Sequence, residues 1–171
     1  MLAVAQGDMD AFEGLVRRKQ TWAWDIAYRF LGDRHEAEDV VQDAFLRLLE
    51  VADRYQPASS FNTYFYRIIS RVCLDRAKKK RPRCLGAVPD VFDSRPDALG
   101  AMEKQQSAEA VRAALDVLPP QQRLAVVLRY YEGLSYQDIA SALETTPKAV
   151  ERLLARGRDH LQATLRIWGN P

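Results

Sequence analysis

The residues best suited to chemistry form an acidic cluster in the N-terminal part of the chain. Within nine positions lie one imidazole, four carboxylates and one amide: His35, Glu36, Glu38, Asp39, Gln42 and Asp43. Neighbouring carboxylates can act as a general acid and base, or bind a divalent metal ion. A simpler explanation is that the dipole of a helix favours carboxylates in its first turn. Catalysis would also need further groups, and no nucleophile or glycine-rich phosphate loop accompanies these carboxylates. We therefore expect no catalysis, metal or cofactor here, and interpret the cluster as a docking face for a basic partner.

A second set of candidate binding residues lies near the C-terminus, on the second of two short predicted helices. Ser135 is a good N-cap for the first helix, and Thr146 followed by proline is one for the second. The second helix carries these candidates: Lys148, Glu151, Arg152, Ala155, Arg156 and Arg158. Such a helix-turn-helix fits the major groove of duplex DNA, where Arg and Lys reach guanine edges and phosphates. A solvated edge of a helical bundle is the alternative, but the two start signals favour DNA binding.

Aromatic residues and a run of cations follow one another between these two sets. The aromatics begin at Phe61, after a loop rich in Pro and Ser, and six of the eight residues at 76–83 are cationic. Rings beside a basic track suit single-stranded nucleic acid, because bases stack on the rings and cations hold phosphates. About half of these aromatics are expected in the core instead. We expect Phe61 and Tyr64 at the surface and Phe65 inside.

The elements that must position these residues are all helices. Apolar residues recur at helical spacing, and strand-like alternation is absent. The pattern predicts an all-α protein with two small helical domains, at residues 1–82 and 107–171, the second containing the helix-turn-helix. Residues 83–106 combine Pro and Gly with no periodicity, which predicts a flexible linker.

Start and stop signals predict four helices in the first domain. They are a first helix capped by Asp8 or Asp10, a second ending at Gly32, a third from Asp33 to about Arg54, and a fourth from Phe61 to about Arg81. Each carries one apolar face, so we expect them to pack around a common core.

The composition restricts the class of protein. A chain of 171 residues with 47% hydrophobic and 28% charged residues suits packed soluble domains, and a net charge of +2 indicates no particular partner. No stretch approaches the roughly 20 apolar residues of a membrane span, and no signal peptide is present, so we expect a cytoplasmic protein. Cys73 and Cys84 lack the spacing of a zinc site.

Taken in order, these motifs resemble those of bacterial RNA polymerase sigma factors of the sigma-70 family, in the small two-domain extracytoplasmic-function (ECF) group. The runs that carry the resemblance are GD and AFEGL within 7–15, EAEDVVQDAF at 36–45, YRII and LDR within 66–76, LPPQQR at 118–123, EGLSYQDIA at 132–140 and TPKAVERLLARGR at 146–158. They cover nearly the whole chain. The resemblance implies a transcription initiation factor that binds core RNA polymerase and directs promoter recognition and DNA melting, with no catalytic activity of its own.

The resemblance also implies three binding surfaces and a regulator. The polymerase-docking residues are Asp39, Gln42, Asp43, Phe45 and Leu46. The minus-ten surface, which takes the melted non-template strand of promoter DNA, comprises Tyr55, Ser59, Ser60, Phe61, Asn62, Tyr64, Arg67, Arg71, Lys78, Lys79 and Lys80. Duplex DNA at the minus-thirty-five element is read by the candidates already named at 148–158. Because factors of this kind are commonly held inactive by an anti-sigma factor, we expect such a partner.

The chain departs from the family pattern at several positions. Tyr64 stands where Trp is frequent, Arg71 where Asn is frequent, and Glu144 where a turn glycine is common. Glu151 replaces a commonly basic residue of the reading helix, and a glutamate can accept a hydrogen bond from cytosine N4. We therefore expect an unusual minus-thirty-five preference.

Two other functions compete with the sigma factor. A stand-alone regulator that binds duplex DNA as a dimer needs one DNA-binding unit per subunit, and leaves the acidic face and the aromatic surface unused. An all-α enzyme working through the carboxylates at 36–43 predicts binding of a metal or substrate by the first domain.

Overall fold

The computed structural model describes residues 1–55, 60–79 and 110–168, with side chains as far as 164. These residues are helical and contain no strand, which confirms the all-α prediction. The helices, in chain order, are α1 (Leu2–Ala5), α2 (Met9–Leu31), α3 (Arg34–Glu50), a 3₁₀ turn (Ala52–Arg54), α4 (Phe61–Lys79), α5 (110–116), α6 (Pro120–Tyr130), α7 (Tyr136–Ala142) and α8 (Pro147–Trp168). We call α1–α4 the N-terminal half and α5–α8 the C-terminal half. The predicted linker at 83–106 lies outside the described residues.

Helix α2 corrects one prediction, because the two helices expected before Gly32 are a single helix of 23 residues. Its cap is Asp8, whose Oδ1 accepts the N–H of Ala11 at 2.8 Å. Gly14 inside it costs about 1 kcal/mol relative to alanine. Burial of Leu15 and Ile26 along one continuous face outweighs that cost. The helix ends where predicted, at Gly32 with φ 68°.

Helix α3 begins as predicted but ends earlier. The Asp33 side chain accepts the N–H of Glu36 at 3.1 Å, which closes the first turn. The helix stops at Glu50 rather than near Arg54, and the chain tightens into the 3₁₀ turn, whose Ala52 is buried. Helix α4 begins at Phe61 as predicted. Its predicted end near Arg81 lies outside the described residues.

One continuous hydrophobic core joins the two halves. In the N-terminal half it is built from α2, α3 and α4, and Ile26, Leu48 and Phe65 are fully buried there. It continues across α2 and α4 into α6, α7 and α8, where Leu124 and Leu154 are buried. Both halves therefore present their outer faces to solvent while their inner faces pack together.

The helix-turn-helix consists of α7 and α8, and both predicted caps are confirmed. Ser135 Oγ accepts the N–H of Asp138 at 3.1 Å, and Thr146 Oγ1 accepts the N–H of Ala149 at 3.2 Å. Between the helices, Glu144 has φ 51°, in the left-handed region that favours glycine. The family's glycine at this turn therefore has a physical reason.

We expect Glu144→Gly to raise the free energy of unfolding by about 0.5–1 kcal/mol. The left-handed conformation costs a non-glycine residue about 1–2 kcal/mol, and glycine removes that cost. Part of the gain is lost because glycine makes the unfolded chain more flexible. Urea unfolding of the full chain measures the effect. The matched control is Ser141→Gly in α7, an exposed helical position where glycine should destabilise. If both variants lose the same stability, the strain at Glu144 is absent.

Candidate nucleic-acid and protein interfaces

The outer face of α3 carries the exposed part of the acidic cluster. Gln42 and Asp43 are exposed, and Leu46 beside them is 58% exposed. Phe45 points the opposite way: its ring is buried and packs 5.0 Å from that of Phe65. The structure therefore places four of the five predicted docking residues on the surface and Phe45 in the core, where it fixes how α3 lies on α4.

Part of the acidic cluster is neutralised within the molecule. Arg76 of α4 donates from Nε to Glu36 and from a terminal nitrogen to Asp39. These hydrogen bonds, the one to Glu36 above all, raise the pKa of Arg76. Arg34 likewise donates to Glu38 at 3.1 Å. Among the described residues, the negative charge that remains without such a bridge on this face is centred on Asp43. Sequence spacing did not indicate the pairing of Arg76 with Glu36 and Asp39.

The first turn of α4 brings aromatic rings and a cation together. Tyr55 and Tyr64 are half-buried, with ring centroids 5.1 Å apart in a T-shaped arrangement. The guanidinium of Arg67 lies 5.8 Å from the Tyr64 ring. Its Nε is buried and has no hydrogen-bond partner among the described residues. Aromatic rings with a guanidinium beside them are the kind of surface on which a base can stack and a phosphate can be held.

The remaining residues of the minus-ten surface differ in how exposed they are along α4. Phe61, expected at the surface, is half-buried because its ring stacks on Phe65 at 5.6 Å, whereas Phe65 is in the core as predicted. Asn62 is exposed and accepts a hydrogen bond from Lys19 Nζ at 2.8 Å, which adds a cation of α2 that sequence reasoning missed. Exposed along the rest of the surface are Ser60, Arg71, Lys78 and Lys79. Ser59 and Lys80 lie outside the described residues.

Helix α8 presents a basic face and is anchored from behind. Val150 and Leu154 are buried, and His160 Nδ1 lies 2.9 Å from Gln122 Oε1 of α6. A Cβ added at Gly157 would lie 3.0 Å from Val126 Cγ2, so the missing side chain allows α8 to cross α6 closely. Five of the six predicted reading residues are exposed: Lys148, Glu151, Arg152, Arg156 and Arg158. The sixth, Ala155, is half-buried. The structure thus brings the whole predicted reading set onto one rigid helix.

The described residues show neither a metal centre nor a membrane helix. No group of three or more His, Cys, Asp or Glu side chains in this part of the chain is arranged to hold a metal ion. None of its helices is both long and apolar enough to cross a bilayer. Cys73 is fully buried in α4, and desolvation raises the pKa of its thiol. Cys84 lies outside the described residues.

Comparison with known proteins identifies both halves. The Sigma-70 region 2 family matches residues 15–83, and the Sigma-70 region 4 family matches residues 108–161. A chain with these two regions in this order is a sigma factor of the sigma-70 family. It is similar to the ECF sigma factor SigW of Bacillus subtilis, with 30% identity over 95% of this chain and 93% of that protein. It is also similar to SigE of Mycolicibacterium smegmatis, with 32% identity over 92% of this chain and 62% of SigE's length. The chain therefore belongs to the ECF RNA polymerase sigma factors, which serve promoter-specific initiation of transcription.

Solved structures agree with this assignment. CnrH, in complex with the cytosolic domain of CnrY, superposes with a TM-score of 0.71 and 26% identity, covering 97% of this chain and 96% of that one. RpoE of Bartonella quintana, bound to the anti-sigma factor NepR, gives a TM-score of 0.68 over 92% and 98% of the two chains. At 18% identity, the second likeness supports the fold alone.

Proposed function

We propose that this sigma factor divides its work among three surfaces. The outer face of α3 docks on core RNA polymerase, the first turns of α4 receive the melted non-template strand, and the outer face of α8 reads the minus-thirty-five duplex. The observation that carries this proposal is the charge pattern on two capped helices. The outer face of α3 exposes carboxylates and one apolar side chain, Leu46, whereas the outer face of α8 exposes mostly cations. Opposite charges on separate faces suit a basic protein partner and a polyanion respectively.

Docking through α3 rests on Leu46 and its polar neighbours. A leucine that is 58% exposed supplies apolar area to an interface, while Asp43 and Gln42 supply charge complementarity and a hydrogen bond. Asp39 contributes less to this face, because Arg76 already engages it. Phe45 supports the surface from the core and makes no direct contact.

Capture of the minus-ten strand rests on Tyr55, Tyr64 and Arg67. Extruding a base from the stack costs a few kcal/mol, which stacking on the tyrosines and a phosphate contact at the Arg67 guanidinium offset. The exposed cations farther along α4 hold the backbone without reading sequence: Arg71, Lys78 and Lys79.

Reading of the minus-thirty-five element rests on α8. Lys148, Arg152 and Arg156 follow one another at helical spacing, so they enter the major groove together. Glu151 beside them can accept a hydrogen bond from cytosine N4. This contact would give the minus-thirty-five site a base preference that differs from the one common in the family. The capped N-terminus of α8 fixes the depth of this approach.

The proposal extends to catalysis, location and regulation. Sigma factors are generally non-enzymatic regulators of transcription, and we propose that this chain has no catalytic activity and acts in the cytoplasm, where RNA polymerase works. The likeness to CnrH, which was solved with the cytosolic domain of CnrY, supports an anti-sigma partner for this chain as well.

We expect Gln42→Ala combined with Asp43→Ala to weaken binding of the full chain to core RNA polymerase about tenfold or more. Two interfacial polar contacts, one of them charged, contribute on the order of 1–3 kcal/mol together. Surface plasmon resonance with immobilised core polymerase measures the dissociation constant. Affinity for minus-thirty-five duplex should stay unchanged, since α8 lies elsewhere.

The matched control for this variant is Glu13→Ala. Glu13 is an exposed carboxylate on α2, paired with Arg17 and outside the three surfaces. It should leave the affinity for polymerase within twofold of the wild type. Equal loss of polymerase and duplex affinity in the α3 variant would contradict the division of labour.

A further inference from the structure

A hydrogen bond from α2 fixes the side chain of Asn62 at the start of the minus-ten surface. Lys19 Nζ donates to Asn62 Oδ1 at 2.8 Å, although the two residues are 43 positions apart. Asn62 is exposed in the first turn of α4, and Lys19 is half-buried. Because an ammonium group carries donors only, the amide must turn its carbonyl oxygen toward Lys19. Its NH₂ group, which carries two donors, therefore points away from α2.

An aromatic ring holds the ammonium group in this position. Lys19 Nζ lies 5.2 Å from the centroid of the Trp22 ring, one turn farther along α2. Trp22 is half-buried, and its ring packs 5.7 Å from that of Phe65 and 4.8 Å from that of Tyr66. Its indole N–H donates to Glu132 at 2.9 Å. The lysine side chain thus rests on a fixed ring, which lowers the entropy cost of holding it in one geometry.

The charge of Lys19 lies beside the amide oxygen without a carboxylate to balance it. Among the residues that the structure describes, Lys19 forms no ion pair, whereas Arg17, two positions before it, is bridged to Glu13. A hydrogen-bond donor that approached Asn62 Oδ1 would therefore meet an adjacent positive charge. An acceptor that approaches the NH₂ group is attracted by the same charge. The pair favours acceptors and disfavours donors.

The four bases differ in what they offer to such an amide. A free asparagine reads adenine with two hydrogen bonds, because it accepts from N6 and donates to N7. Lys19 opposes the first of these bonds. Thymine O4 and guanine O6 are carbonyl acceptors, whereas adenine and cytosine carry amino donors at the corresponding positions. An asparagine held by a lysine therefore selects the keto bases, thymine and guanine, over the amino bases.

Asn62 meets a different nucleotide from the one stacked at Tyr64. At about 100° per residue, these two positions of α4 lie about 200° apart around the helix. Both border its N-terminal end, where Ser60 is exposed. A single strand that crosses this end presents successive bases to the two sides. The selection by Asn62 should therefore fall on one position of the melted segment and leave the others unaffected.

We propose that Lys19 is a positioning residue of the minus-ten surface, which turns the Asn62 amide so that it selects a keto base at one position of the melted strand. Asn62 contacts the base, and Lys19 acts through Asn62. The inference rests on the proposed function of the minus-ten surface and deepens it, since it names the class of base that one residue pair selects.

The test uses the full chain assembled with core RNA polymerase. The probe is a pool of promoter fragments that are duplex at the minus-thirty-five element and single-stranded, with randomised bases, at the minus-ten segment. Sequencing of the bound fragments gives the base frequencies at each position. For the wild type, we expect keto bases to exceed amino bases about tenfold at one position.

Three variants assign that preference to the residue pair. Lys19→Met keeps the apolar stem but removes the ammonium, and it should reduce the preference to about twofold or less at that position alone. Asn62→Ala should remove the preference at the same position. Lys19→Arg should retain most of it, because a guanidinium can still donate to the amide oxygen and stack on the Trp22 ring.

Arg18→Met is the matched control, because Arg18 is an exposed cation next to Lys19 and its removal changes the net charge equally. It should leave the base frequencies unchanged. A second readout needs no DNA: the side-chain amide signals of Asn62 in ¹⁵N NMR, assigned with Asn62→Ala, should shift in Lys19→Met and not in Arg18→Met. Unshifted signals in Lys19→Met would overturn the hydrogen bond on which the inference depends.

The base frequencies separate the remaining outcomes. Equal frequencies for the wild type and Lys19→Met, with selection intact elsewhere in the segment, would overturn the inference alone. Weaker binding of Lys19→Met with unchanged base preference would also overturn it, since Lys19 would then hold only a phosphate. A wild type that selects no base at any position of the segment would contradict the proposed minus-ten function, and the inference would fall with it.

Discussion

Replacing Arg152 and Arg156 together by alanine is expected to lower the affinity of the full chain for its minus-thirty-five duplex by about 100-fold. Each cation that reaches a base edge or phosphate contributes about 1–3 kcal/mol, and both are exposed on one face of α8. The fold should be unaffected, because α8 is anchored by Val150 and Leu154 on its opposite side. Fluorescence anisotropy at fixed salt, with a duplex that the wild-type chain selects from a random pool, measures the loss.

The control replaces Arg17 and Arg18, two exposed cations of α2, by alanine. This variant carries the same change in net charge but should retain affinity within a few-fold, since no reading surface is altered. An equal loss in both variants would show that binding depends on total charge alone. In that case α8 would not be the reading helix.

Replacing Phe65 by alanine is expected to lower the free energy of unfolding by about 3–5 kcal/mol. The side chain is fully buried, and its ring packs against those of Phe45 at 5.0 Å, Phe61 at 5.6 Å and Trp22 at 5.7 Å. Truncation leaves a cavity where α2, α3 and α4 meet, so the docking face and the minus-ten surface lose a common support. Urea unfolding followed by far-ultraviolet circular dichroism gives the value.

Leu46→Ala is the matched control for burial, since Leu46 is apolar but 58% exposed. Its effect on stability should stay within about 0.5 kcal/mol. A loss below about 1 kcal/mol for Phe65→Ala would mean that the ring is not part of a tightly packed core.

Local signals in the sequence explain why much of the fold was predictable. The caps at Asp33, Ser135 and Thr146 act through hydrogen bonds over three residues, so residue types alone reveal them. The fusion of two predicted helices into α2 was not predictable in this way, because packing along the whole helix decided it.

The sites were predictable as positions along helices but not as networks. The face of α8 follows from helical spacing, whereas the bridge from Arg76 to Asp39 joins residues 37 positions apart. Glu132 and Trp22 are 110 positions apart, and nothing local marks either as a partner of the other. Phe45 shows the same limit: Asp43 and Leu46, which flank it closely in sequence, are exposed, but the rotation of α3 on the core turns the ring of Phe45 inward.

Binding of the purified chain to bacterial core RNA polymerase, followed by transcription from fragments of its own genome, tests the central claim most directly. We expect a stable complex whose transcripts begin at a defined set of promoters with a shared minus-thirty-five sequence. Core polymerase without the chain should give none of these starts. Affinity for duplex DNA with no binding to core polymerase would contradict the account and favour a stand-alone regulator.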